Sequence, residues 1–326
     1  MHSHHSHSGE FCKHASGSLS AVVDAAISSG FAVYGLSEHA PRYRQVDLYP
    51  EEQSLSPQAL HTTFDQFINE AGRLQTFHSQ NSQISLLVGV ETEYITPLDL
   101  SGLQTILAKY GDAIDYVVGS IHHVNEIPID FDLQNFNCAL ASFSALTTTS
   151  DIVSPPTVAI EGLEDLILSY LDAQYTVLTT IHPEIIGHFD LFRLYYPSLN
   201  VDTLPSVWDK VRRNVTYAIE YGALFELNAA AFRKGWDSAY PGREIADFII
   251  SQGGRFALSD DSHGPAAVGL NYSRLRTYLY DTLGVKELWY LERSVDDTSR
   301  SKGGRRVQAV KVQGAWWQHP FWEKTL

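Results

Sequence analysis

Seven short β-rich runs alternate with helix-patterned stretches along this 326-residue chain, and a histidine or an acidic residue stands at or beside the end of each run. The runs are 1–7, 31–37, 84–91, 116–121, 185–189, 224–227 and 256–259, and a later apolar run spans 287–291. Helical patterning fills 18–29, 57–79, 101–110, 161–180, 204–221 and 245–251. Leu60, Phe64, Phe67 and Ile68 fall on one helical face, as do Val207, Val211 and Val215. Strand then helix, repeated, predicts an α/β protein with parallel strands under covering helices. Seven or eight successive units favour a closed barrel over an open doubly wound sheet. The run at 287–291 is then an eighth strand or a peripheral one.

What ends the runs matters most. In order they close on His5-Ser6-His7, Glu38-His39, Glu91-Thr92-Glu93, His122-His123, His188-Phe189-Asp190, Glu226-Leu227-Asn228 and Asp260-Asp261-Ser262-His263. The C-terminal ends of the strands are where a β/α barrel builds its site. Several groups are spaced two residues apart, which aims both side chains the same way on an extended chain. Imidazole and carboxylate together are ligands for zinc, iron or manganese. A lone His39 or His188 would read as an ordinary core or surface histidine; the matched set at seven strand ends does not. The N-terminal histidines are interrupted by serines and followed by Cys12-Lys13-His14, unlike a tag remnant.

Charge narrows the partners. Lys and Arg number 23 against 38 Asp and Glu, a formal net charge of −15. Such a surface repels phosphate backbones, so nucleic acid is not expected as a partner. No apolar run approaches the roughly 20 residues of a membrane helix, and the start lacks a signal-peptide core. A soluble, cytoplasmic protein without a membrane partner is expected. Two cysteines, Cys12 and Cys138, exclude a disulfide framework. No Gly-rich phosphate loop of the Walker or Rossmann kind is present.

The motifs HSHHSHSGEFCKH, SEHAPR, GVETEY, VGSIHHVNEIPIDFD, GHFDLFR, FELNAAAFRK and LSDDSHG occur in this order. Together they resemble those of the polymerase-and-histidinol-phosphatase (PHP) superfamily, within it the fungal-type histidinol-phosphatases. The resemblance runs from residue 1 to about 292, with a weaker match at WWQHPFW. It implies a distorted seven-stranded (β/α)7 TIM-like barrel holding up to three divalent metal ions, Zn, Fe or Mn. By family analogy His5, His7, Glu91 and Asp261 hold one ion. Glu91, His122 and His188 hold a second, with Glu91 bridging, and His14, His39 and His263 hold the third. The His7–His14 interval is one residue longer than in many bacterial relatives. Asp261 is preferred to Asp260 because Asp-x-His is the family motif. His2, His4, His61, His78 and His319 are not expected to be ligands.

The activity implied is hydrolysis of L-histidinol phosphate to L-histidinol and phosphate in histidine biosynthesis. A hydroxide generated by metal coordination would attack phosphorus in line. Glu91, Asp261, His263 and Arg233 are the candidate catalytic residues. Arg193 and Arg233 are expected to clamp the phosphate, with Arg42 a further candidate and Lys234 a surface neighbour. Glu93, Glu226, Asp130 and Asp132 are candidates to read the ammonium and imidazole, and His123 could reach the substrate. For Glu226 the alternative is orienting a ligand or Arg233, and for Asp130 and Asp132 it is loop capping. A nucleotide phosphatase or exonuclease of the same superfamily, or a non-enzymatic metal-binding protein, are the competing readings. An amidohydrolase would place a bridging lysine where this chain has Gly119-Ser120-Ile121-His122.

The whole chain, 1–326, is expected to form one domain. A Ser/Thr/Pro-rich surface excursion is expected near 125–158. The segment 294–306, with Arg300, Lys302, Arg305 and Arg306, reads as a solvated linker in a tail, 294–326, that packs back through its tryptophans. Oligomeric state is not legible.

Overall fold

The computed structural model describes residues 1–81, 84–144, 157–294, 296 and 299–324. Seven parallel strands form one sheet: β1 (His2–Ser3), β2 (Val33–His39), β3 (Ser85–Glu91), β4 (Tyr116–Gly119), β5 (Ile185–Ile186), β6 (Leu224–Asn228) and β7 (Arg255–Ser259). They follow one another in chain order around the sheet. The ends come together where the His4 amide donates to the Leu258 carbonyl (3.3 Å), nearly closing a barrel. The expected seven-stranded barrel is therefore found.

Alternation along each strand sorts core from site. On β3, Leu86, Val88 and Val90 pack outward against the helices. Leu87 instead joins Val33, Tyr116, Val118, Ile185, Leu224 and Ala257 inside the barrel. Glu91 continues the inward column at the C-terminal end. Gly35 and Gly89 are required beneath it: a Cβ on either would come within 2.1 Å or 2.5 Å of the Tyr116 phenol. That phenol crosses the interior and donates to the His4 carbonyl (2.8 Å).

The covering helices are α1 (Leu19–Ser29), α2 (Pro57–Asn81), α3 (Pro97–Tyr110), α4 (Leu133–Ser144), α5 (Thr157–Ile181), α6 (Pro205–Tyr221) and α7 (Arg243–Ser251). Ser18 caps α1, its hydroxyl accepting from the Ala21 amide, and Gly30 ends it in the left-handed conformation. Val207, Val211 and Val215 of α6 are fully buried, as their spacing predicts. No helix among the described residues is long and apolar enough to cross a membrane.

At the periphery one alternative is settled and one expectation changes. Of the two readings of the run near 287–291, an eighth barrel strand or a peripheral one, the peripheral one is found. It forms β8 (Trp289–Arg293), antiparallel to β9 (Val307–Lys311), and this hairpin sets Leu291 and Val307 against the barrel's interior cluster. The segment before β9 is not a solvated linker. Arg305 is 6% exposed and pairs with both oxygens of Glu184 (2.7 and 2.6 Å). Arg300 reaches Asp112 (2.7 Å). Buried Glu184 and surface Asp112 turn what reads as a basic cluster into a strap. Further on, Trp316 and Trp322 are buried. Of the excursion near 125–158, the described part is a short antiparallel ribbon, His123–Val124 with Ile127–Pro128, followed by α4. Residues 145–156 lie outside the described residues.

Candidate metal centre

Strand register brings the polar ends together. His39 is the β2 partner of Glu91 on β3, and a separate two-residue pairing sets His263 beside His7. Glu91 becomes the hub. Its Oε1 lies 3.0 Å from His5 Nε2 and 3.2 Å from the Nε2 of both His122 and His188. Its Oε2 lies 3.3 Å from His7 Nε2 and 3.0 Å from His39 Nδ1. Asp261 Oδ1 is 3.7 Å from Nε2 of both His5 and His7. The His263 ring lies 4.6 Å from that of His7, and the His14 ring lies 5.1 Å from His263 and 5.3 Å from His39. All nine residues named as candidate ligands meet in one place.

These contacts are mostly not hydrogen bonds. His5 Nε2, both ring nitrogens of His7 and His39, and Glu91 Oε2 are buried without a hydrogen-bond partner among the described residues. Leaving so many polar atoms unpaired in a core is costly. Atoms about 3 Å apart that do not point at one another are what ligands of a shared cation look like, because donors at about 2.1 Å from one ion sit roughly 3.0–3.4 Å apart. The residues fit divalent cations, and the donors are those that suit zinc, iron and manganese.

Neighbours fix the rings. Glu226 Oε2 is 3.1 Å from His5 Nδ1, while its Oε1 accepts from the His188 amide (2.6 Å) and from Asn228 (2.8 Å). Glu38 accepts from the Ser8 amide and hydroxyl (2.8 Å each) and sets its other oxygen 3.4 Å from His7 Nδ1. The Glu226 hydrogen bond sets the tautomer and orientation of His5. Asp261 is not extended: its φ of 46° places it in the left-handed region, which swings its carboxylate inward while Asp260 turns away to Ser3 and Tyr34. Backbone strain of this kind collects at functional sites.

Charge balance follows. Burial works to raise the Glu91 carboxyl, but His5, His39 and His122 hold it well below the usual carboxylate range. Burial works to lower His7, but contacts with Glu38 and Glu91 prevail and carry it to about 9. His263, crowded out of water and beside His7, falls to about 3.

The cluster forms the floor of a cavity of about 430 Å³. Arg233 is on its wall, spending two N–H groups on the carbonyls of Asp260 and Asp261 (2.9 and 2.8 Å). Lys234, read from sequence as a surface neighbour, lines the cavity too, opposite in charge to Asp130 and Glu51. Tyr49 and Phe131 add a stacked aromatic pair, with ring centroids 5.8 Å apart. Sequence reasoning missed these two; they sit in loops where no period marks them.

Other candidates are placed elsewhere. Arg193 does not reach the cavity: Asp190 (3.0 Å), Glu244 and the Leu199 carbonyl (2.8 Å) take its guanidinium, over the Trp236 ring. Arg42 is likewise consumed by Glu52 and Glu93, against the Tyr49 ring. Glu93 stands behind the ligands, 3.1 Å from His39 Nδ1 and 3.6 Å from His122 Nδ1, and is not on the cavity wall. His123 is buried beside Glu93 and Tyr49, also off the wall. Glu226 orients His5 as described, and Asp132 caps α4 by accepting from the Asn135 amide (2.7 Å). For Arg193, Arg42 and Glu93 a buried partner of opposite sign has claimed the side chain.

Comparison with known proteins places these observations. The PHP domain family model matches residues 3–230. The chain is 42% identical over 317 residues to the probable histidinol-phosphatase of Schizosaccharomyces pombe, covering 96% of this chain and 95% of that one. It is 33% identical over 325 residues to the histidinol-phosphatase of Saccharomyces cerevisiae, covering 90% and 92%. Among solved structures, a putative histidinol phosphatase from Listeria monocytogenes superposes with a TM-score of 0.64 at 21% identity, over 84% of this chain and 99% of that one. Histidinol phosphate phosphatase from Lactococcus lactis, complexed with zinc, L-histidinol and phosphate, gives 0.57 at 16% identity, over 85% and 92%. At these identities the two structures speak for the fold.

Proposed function

The chain belongs to the PHP domain family, and from that premise we infer that it is a histidinol-phosphatase, a metal-dependent phosphoric monoester hydrolase of histidine biosynthesis. A cytoplasmic location goes with this reading. The observation that carries it is the Glu91-centred cluster flooring a cavity of about 430 Å³, the size of a small-molecule site.

His5, His7, Glu91 and Asp261 would hold one divalent ion, Glu91, His122 and His188 a second, and His14, His39 and His263 a third. Bound divalent ions of the zinc, iron or manganese kind would supply Lewis acidity toward phosphate and lower the pKa of water. Glu91, Asp261 and His263 hold the reacting end of the cavity. Arg233 lines the cavity and has N–H groups beyond the two it gives to the backbone, which would serve to bind a phosphate; Lys234 adds a second positive charge. Asp130, kept above the ordinary carboxyl range chiefly by burial, is the carboxylate placed to meet the substrate's ammonium. The Tyr49–Phe131 pair offers a flat apolar face to its imidazole. Residues 1–326 act as one domain in this reading, with the β8–β9 hairpin sealing the barrel's other end.

The test is phosphate release from histidinol phosphate, p-nitrophenyl phosphate and a mononucleotide, on protein of known metal content. We expect kcat/KM for histidinol phosphate to exceed the others by about 100-fold or more. Equal slow turnover of all three would overturn the substrate. In the same assay Asp130→Asn is expected to raise KM for histidinol phosphate about 10-fold or more and leave p-nitrophenyl phosphate unchanged.

A further inference from the structure

Cys12 lies beside the metal centre and no role above uses it. It is 5% exposed, on a turn in which its amide donates to the Ser8 carbonyl (2.8 Å) and its carbonyl accepts from the Ala15 amide (3.1 Å). That turn brings Cys12 and His14 to the same side, with Sγ 3.2 Å from His14 Nε2. One ligand atom each from Cys12, His14 and His39 falls within 4.8 Å of the other two. The same holds for Cys12, His7 and Glu38.

The thiol alone would mean little, but its surroundings are incomplete in a specific way. Glu38 is 3% exposed and His7 1% exposed, and Glu38 Oε2 and both His7 nitrogens have no hydrogen-bond partner among the described residues. Both nitrogens of His39 are also unpartnered. Apart from the Cys12–His14 contact, the imidazole and carboxylate atoms thus converge on the sulfur without hydrogen-bond partners. A small cleft of about 30 Å³ opens between Cys12, His14, Glu38 and His39.

We propose that the Cys12 thiolate is a ligand of the cation held by His14 and His39, making this one of the three sites thiophilic. The proposal rests on the metal-centre reading above. On binding, the S–H bond gives its proton to solvent and the sulfur lone pair forms the bond to the ion; no oxidant or reductant is involved. The Glu91-centred sites have only nitrogen and oxygen donors. A sulfur–nitrogen set instead favours zinc over manganese. The three positions would then differ in metal preference, with the zinc-selective one nearest the protein surface.

Cobalt(II) replacement in the full chain tests this, because only two sulfhydryls exist and Cys138 is exposed. The expected result is a near-ultraviolet thiolate-to-cobalt charge-transfer band in the wild type and in Cys138→Ser. It disappears in Cys12→Ser and Cys12→Ala while visible ligand-field bands from the remaining cobalt persist. Zinc retention against a chelator at that one site falls about 10–100-fold in the same variants, and circular dichroism verifies that each is folded. Cobalt bound with ligand-field bands but no charge-transfer band in the wild type would overturn the proposal and leave the metal centre standing. A band that survives in folded Cys12→Ser would overturn it equally. Failure of the wild type to bind cobalt or zinc at all would overturn the underlying metal reading.

Discussion

His2 and His4 sit at one level of the barrel and His5 and His7 at another, and the two pairs have opposite chemistry. Ring centroids are 5.2 Å apart within each pair, and all four residues are 2% exposed or less. In the first pair, His2 Nε2 accepts from the Leu258 amide (2.8 Å) and His4 Nε2 from the Leu291 amide (3.0 Å). Burial holds both neutral, His4 down to about 3 and His2 well below its ordinary value. In the second pair the Nε2 atoms face Glu91 and Asp261 without hydrogen-bond partners. There burial opposes the charged form too, yet the carboxylates win and both values rise. Depth in the fold is the same; the partner set decides whether an imidazole seals a barrel or waits for a cation.

The comparison breaks most sharply at the shared carboxylate. Glu91→Gln removes the charge that all five surrounding histidines face. Turnover is expected to fall about a thousandfold or more, roughly 4 kcal/mol of transition-state stabilisation, with metal content falling in parallel. Activity within tenfold of wild type at full metal content would mean that the cluster is not organised around Glu91.

His4→Ala probes the other pair. It leaves the Leu291 amide unpaired and a hole between barrel and hairpin, an expected loss of about 2–4 kcal/mol in unfolding free energy. Turnover per folded molecule and metal content are expected to stay at wild-type values. Denaturant unfolding and elemental analysis measure the two separately. Metal loss at unchanged stability would make His4 part of the centre and erase the contrast.

Legibility in the sequence divides along the same line. The β/α alternation, the barrel and the convergence of His5, His7, Glu91, His122 and His188 follow from period and strand ends, whereas Asp261 is aimed by its left-handed backbone and is legible only through the family motif. His2 and His4 share the same period as His5 and His7, and only the irregular step between Ser3 and Ser6, where β1 ends, separates them. Arg193, Arg42, Glu93 and His123 read as substrate groups because a sequence displays a charge and hides its partner. Asp190, Glu244 and Glu52, which claim the two arginines, lie 3 to 51 residues away in the chain. Arg305 went the same way, since Glu184 is 121 residues distant. Tyr49 and Phe131 reach the cavity through loop folding, for which no repeating signal exists.

Proton linkage gives the two pairs opposite slopes with pH. His4 has a native value of about 3 and an unfolded value near 6.5. Below pH 6.5 the unfolded chain takes a proton that the native one refuses. Stability is then lost as pH falls from about 6.5 toward 3, by up to about 1.4 kcal/mol per unit, and His2 acts in the same direction. His7 has a native value of about 9 in the absence of cations. Between 6.5 and 9 the metal-free native state holds a proton that the unfolded chain has released, so that contribution is lost as pH rises through this window. Metal-free protein is expected to be most stable near pH 6.5, declining on both sides. Loading with zinc replaces the proton on His7 by a cation, so the alkaline decline should vanish while the acid decline above pH 5 remains. Thermal unfolding across pH 4–9, with and without metal, reads both limbs at once. His5 and His122, also raised, act in the same direction, so an alkaline limb equally steep in metal-loaded protein would show that these imidazoles do not face the bound ions.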